Sequence, residues 1–106
     1  MQKKLRRLIN VVKKHLVKKY GKEIKQVILY GSHAREEATK DSDIDLLVII
    51  SDSLNPSEVR NSISDLLFNI ILREKEQISV IPIPEQFFNN YNSPFILNVK
   101  SEGMAV

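Results

Sequence analysis

Leu5, Leu8, Ile9, Val12, Leu16 and Tyr20 recur at the three- and four-residue spacing of one helix face, so the chain is predicted to open with an amphipathic helix. Gly21 supplies a C-cap. The run Gln26 to Tyr30 reads as a first strand and is followed by Gly31-Ser32. His33 to Ala38 is predicted to be a short helix, and Thr39 to Ser42 is polar and turn-like. Ile44 to Ile50 is almost wholly apolar, the pattern of a strand buried on both faces. Asn55-Pro56-Ser57-Glu58 resembles a capping box with proline at the first helical position, and the helix it opens should run to about Arg73. Its expected core face is Val59, Ile63, Leu66, Leu67, Ile70 and Ile71. Gln77 to Ile81 reads as a third strand ended by Pro82 and Pro84. Ser93-Pro94 opens a last short helix that Gly103 stops. This order predicts an α+β fold, a small mixed sheet covered by helices, as one domain over residues 1–106.

Composition narrows the class. Hydrophobic residues make up 42% of the chain and charged residues 27%, ordinary values for a globular protein. No apolar run approaches the ~18 residues of a membrane span. The Lys/Arg-rich start interleaves its apolar residues with charges, unlike a signal peptide. With no cysteine, disulfides and thiolate metal sites are excluded, which fits a cytoplasmic address. Charge is uneven: residues 1–25 carry ten Lys and Arg against one Glu (+9), and the rest carries six against twelve (−6). A basic helix is attached to an acidic body.

The chemistry concentrates between the first two strands. Side chains alternate along a strand, so Asp43 and Asp45 share a face, their Cα atoms about 6–7 Å apart. If their carboxylates come within ~4 Å they repel by about 1–4 kcal/mol, and a divalent cation between them reverses that penalty. Hard oxygen donors suit Mg²⁺. Asp45 also lies within an otherwise apolar strand, where an ionised carboxylate is costly unless paired or metal-bound. Gly31 permits a sharp turn and close approach of a ligand, and a following helix would aim free N–H groups at it. With the Ser32 hydroxyl, Tyr30-Gly31-Ser32 forms a candidate cradle for the β- and γ-phosphates of a nucleoside triphosphate. Taken alone, a glycine-serine pair is more often a plain turn with a serine cap.

Gly31-Ser32, ten residues, then Asp43-x-Asp45 followed by Leu46-Leu47-Val48 resembles the signature of the DNA polymerase β-like nucleotidyltransferase superfamily. Within it the pattern is most similar to the minimal nucleotidyltransferases, single-domain proteins often paired with a HEPN-domain toxin. The stretch Ser93 to Gly103 also resembles the C-terminal segment of small members. The resemblance implies that Asp43 and Asp45 hold Mg²⁺ on ATP while Gly31 and Ser32 bind its β/γ end. A hydroxyl then attacks the α-phosphorus. It further implies transfer of AMP to a partner protein, with a HEPN toxin as acceptor and this chain as the antitoxin.

Arg35, one helical turn beyond Ser32, is either a phosphate contact or an exposed arginine beside Glu36 and Glu37. Two positions depart from the family pattern. Glu36 follows Ala34-Arg35 where the family often has glycine. Ser79 stands where active members carry a third acid, and Glu76, though near, falls on the opposite face by strand parity. A toxin- or nucleotide-binding module without catalysis is therefore the alternative.

Lys3, Arg6, Arg7, Lys14 and Lys18 lie opposite the apolar stripe of the first helix. Such a face is usually solvated, and an RNA-binding adaptor is the reading it would support otherwise. Phe87, Phe88, Tyr91 and Phe95 form an aromatic cluster expected to pack in the core, and His33 lacks an evident partner.

Overall fold

The computed structural model describes residues 1–106. Helix α1 (Lys3–Tyr20) leads through a 3₁₀ turn at Gly21–Glu23 into β1 (Ile24–Tyr30). A second 3₁₀ turn, Gly31–His33, and an irregular segment connect to β2 (Ile44–Ile50). Helix α2 (Pro56–Glu74), β3 (Ile78–Pro84), α3 (Glu85–Asn90), α4 (Pro94–Glu102) and β4 (Met104–Ala105) complete the chain.

The helix boundaries follow from local chemistry. Gly21 closes α1 at φ +58, its N–H bonded to the Val17 carbonyl. Asn55 caps α2 by accepting from the Ser57 N–H (2.8 Å) and the Glu58 N–H (3.4 Å), with Pro56 pre-set in the first turn. Ser93 caps α4 by accepting from the Ile96 N–H at 3.2 Å, and Gly103 ends it.

The sheet order is β3-β2-β1-β4, with β1 antiparallel to both β2 and β4, and β2 parallel to β3. Its two faces differ. On one, Val27, Leu29, Ile44, Leu46, Val48, Ile50, Ile78 and Val80 pack under the apolar stripes of α1 and α2. On the other, Ile28, Leu47 and Ile49 meet Val99 of α4, with Tyr30, Ile81, Ile83 and Phe88 around them. Strand β2 is covered on both sides, as its unbroken apolar run predicts.

Four features differ from the sequence reading. Strand β3 continues through Pro82 to Pro84, because it is an edge strand and both prolines, two residues apart, place their missing N–H on the same outer side. The 33–38 segment is not a helix: the chain makes one 3₁₀ turn, and Glu36 then adopts φ +59 and breaks the spiral. Ile71 lies on the exposed side of α2. The aromatic cluster divides, with Phe88 inside while Phe87 and Tyr91 stack on the surface at 4.7 Å. Helix α3 and the two-residue strand β4 carry too little periodic signal to be read from sequence.

Candidate active site

The end of β1, the start of β2 and the start of β3 meet at one end of the sheet's strands. Tyr30, the last residue of β1, pairs with Asp45, and Asp45 pairs on its other side with Ser79. Side-chain alternation puts Asp45 with Leu47 and Ile49, on the α4 side of the sheet. Asp43 lies just before β2, exposed and on the same parity.

Gly31 makes this arrangement possible. It sits at φ +75, and a Cβ built on it would lie 2.5 Å from the Asp45 Oδ2. The carboxylate is therefore tucked against the bare glycine Cα, and any side chain there would strike it. The turn then closes through bonds from the Ala34 N–H (3.1 Å) and Arg35 N–H (3.2 Å) to the Gly31 carbonyl, and from the Glu37 N–H to the Ser32 carbonyl (2.9 Å). The first N–H groups of such a turn have no partner within it. An amide-lined bend thus stands beside Asp45, although a single turn supplies little of the dipole that a full helix would bring.

Electrostatics reflect the crowding. Burial raises the Asp45 pKa, and the Asp43 charge raises it further, while His33 and Arg35 pull it down. Burial first, and then the Asp45 charge, push the Tyr30 hydroxyl up to about 12. Its ring meets Phe95 of α4 edge-on at 5.4 Å. Asp45, reluctant to ionise without help, and Asp43, whose charge acts on it, are the hard-oxygen donors that a divalent cation satisfies, so the residues present fit Mg²⁺.

Of the residues singled out from sequence, Gly31, Asp43 and Asp45 come together, with Ser32 in the adjoining turn. Arg35 is near enough to influence Asp45, but its guanidinium is held by Glu102 at 3.1 Å and Glu37 at 3.4 Å. No third Asp, Glu, His or Cys joins the aspartates. Ser79 fills the neighbouring register position, while Glu76 pairs with Lys4 of α1 at 3.4 Å on the other face, as parity requires.

Sequence reasoning missed the Glu102 contact, which joins residues 67 apart and leaves no local trace. It also underrated His33, whose Nε2 is buried without a partner. His33 lines a cavity of about 730 Å³ between α1 and the 36–40 segment, whose lining includes neither aspartate. A smaller hollow of about 260 Å³, between Gly31, Tyr30, Arg35, Phe95 and Glu102, adjoins the carboxylate site instead.

The chain matches the family model for polymerase beta nucleotidyltransferases over residues 10–103. It is 32% identical to a Methanocaldococcus jannaschii protein provisionally named a protein adenylyltransferase, over 99% of this chain and 96% of that one. A Sulfolobus solfataricus structure, provisionally a nucleotidyltransferase, superposes with TM-score 0.64 at 15% identity, covering 93% of this chain and 76% of that one. A chain of a toxin-antitoxin crystal structure with AMP-PNP gives 0.60 at 15% identity, over 92% and 70%. A chain from the complex of tri-AMPylated Shewanella oneidensis HEPN toxin with MNT antitoxin gives 0.56 at 15% identity, over 95% and 70%. At these identities the structural likenesses establish the shared fold. The sequence match establishes more: this chain belongs to the polymerase beta nucleotidyltransferase family.

Proposed function

We propose that this protein transfers AMP from Mg²⁺-ATP to a hydroxyl group on a partner protein, and that the partner is a HEPN-type toxin for which it serves as antitoxin. The observation that carries this reading is the Asp45 carboxylate set against Gly31, with the Asp43 charge acting on it. The adenylyltransferase relative and the fold shared with chains of toxin-antitoxin complexes support it.

Asp43 and Asp45 would hold the cation, which when bound neutralises charge on the triphosphate and polarises the reacting phosphoryl group. The bend amides and the Ser32 hydroxyl orient the β/γ end, and Gly31 keeps the Asp45 carboxylate in place. Most of the rate comes from in-line positioning rather than from covalent participation of this chain.

The test is incubation with α-labelled ATP, Mg²⁺ and the protein encoded beside it. Label should reach the partner, and Asp43→Asn should abolish transfer while complex formation survives. Failure of both labelling and nucleotide binding would remove the proposal. The second reading, a binding module without catalysis, is favoured by Ser79 alone. It predicts that the two proteins associate with no label transferred.

A further inference from the structure

A hydroxyl attacking phosphorus must lose its proton, and a positioned base speeds such steps by about 10²–10⁴-fold. No third carboxylate or histidine gathers with the aspartate pair into one cluster. Glu76 points to the α1 side and is held by Lys4. Glu37 and Glu102 are both engaged by Arg35. The Tyr30 ring is packed edge-on against Phe95 of α4 at 5.4 Å. The His33 Nε2 is enclosed, and the residue lines a cavity whose lining includes neither aspartate. Asp43 and Asp45 are committed to the cation on the reading above. The place beside Asp45 where a base would have to stand belongs to Ser79, short and only partly covered.

We infer that the acceptor protein brings its own base: a carboxylate close to the modified hydroxyl enters beside Asp45 and rests on the Ser79 hydroxyl. The inference rests on the transferase reading and names its substrate class, a hydroxyl residue flanked by aspartate or glutamate. In the step, the acceptor oxygen bonds to the α-phosphorus and the bond from that phosphorus to the bridging oxygen breaks. Pyrophosphate leaves with the electron pair, and the hydroxyl proton passes to the acceptor's carboxylate. Ser79 contributes a hydrogen-bond donor and an opening that a longer side chain would fill. It is a positioning and specificity residue, and it moves no proton.

The experiment uses two tyrosine peptides that differ only in glutamate or glutamine at the residues flanking the tyrosine. Each is incubated with Mg²⁺ and α-labelled ATP and either the full chain or Ser79→Asp. Binding of Mg²⁺ and a non-hydrolysable ATP analogue is measured alongside by calorimetry. The wild-type chain should label the glutamate peptide about 100-fold faster than the glutamine one. Ser79→Asp should label both at comparable rates, with wild-type affinity for the analogue retained to within several-fold. Equal labelling of the two peptides by the wild-type chain overturns the inference. So does a Ser79→Asp chain that labels both peptides while the wild type labels neither. Loss of transfer in His33→Gln with nucleotide binding intact would assign the base to His33 and likewise overturn it. No transfer to either peptide by either protein, together with no labelling of the protein encoded beside this chain despite nucleotide binding, removes the transferase reading itself and this inference with it. Labelling of that protein with neither peptide labelled by the wild-type chain overturns the inference alone.

Discussion

Replacing Gly31 by alanine separates the backbone demand at this position from the demand made by its neighbour. Two costs arise. An L-residue in the left-handed region costs about 1–2 kcal/mol, and Gly31 sits at φ +75. The new methyl would also meet the Asp45 Oδ2 at 2.5 Å, so the carboxylate must turn away. Forcing a side chain off its rotamer adds about 0.5–1.5 kcal/mol. Gly21 is the control for the collision alone, because it also has a positive φ (+58) but nothing within 4 Å of a built Cβ. Urea unfolding should show Gly31→Ala destabilised by both costs, about 1.5–3.5 kcal/mol in all. Calorimetric titration with Mg²⁺ and a non-hydrolysable ATP analogue should show unchanged affinity in Gly21→Ala. In Gly31→Ala the affinity should fall about 10–100-fold, the usual consequence of disturbing a metal ligand's support. Adding Asp45→Ala relieves the collision, so the folding energies of the two changes should couple by at least about 0.5 kcal/mol. Absence of coupling between Gly31→Ala and Asp45→Ala, together with unimpaired nucleotide binding in Gly31→Ala, would refute the account of why glycine stands beside the carboxylate.

The remaining predictions test the surroundings of the site. In the folded chain Asp45 keeps its proton to higher pH than in the unfolded chain, so stability falls as pH rises from the unfolded pKa through the folded one. Asp45→Asn should therefore be more stable than wild type near neutral pH, by less than about 1 kcal/mol because solvent screens the charge. Thermal melts should show that gap closing in acid. Mg²⁺ affinity of the wild type should drop as pH falls through the same raised pKa, since the ligand must be ionised. Glu36 occupies φ +59 without being glycine; Glu36→Gly should gain about 0.5–1 kcal/mol in urea unfolding, strain relief less the added unfolded-state entropy. Glu102→Gln loosens the hold on Arg35, and calorimetry should then show Mg²⁺-nucleotide binding about 2–5-fold tighter, the scale of an exposed ion pair. Asn55→Ala removes the cap of α2 and should cost about 1 kcal/mol in urea unfolding.

The alternation of hydrophobic and polar positions carried the main elements, because α1, α2 and β2 are long and their buried faces repeat at fixed spacing. Caps at Asn55 and Ser93 were legible for the same local reason: a side-chain oxygen reaches an amide two or three residues on. The family signature was legible too, since Gly31-Ser32 and Asp43-x-Asp45 are short motifs with fixed spacing, and the parity argument placed Glu76 and Ser79 on opposite faces. Other features had no such mark. The 33–38 segment has helical composition, yet Glu36 in the left-handed region ends the turn after one cycle. Prolines stop a central strand but not an outer one, and only the sheet order shows that β3 is outer.

By itself the sequence determined which segments form helices and strands, the donor types at the site and the family of the protein, because these depend on neighbouring residues and on spacing along the chain. Tertiary structure alone decided that Asp45 rests on Gly31, that Ser79 stands next to Asp45, and that Glu102 holds Arg35. Each of these is a contact between segments whose meeting is set by strand order and register. Register is fixed by how the two faces of the sheet pack against α1, α2 and α4, and no local pattern encodes that sum.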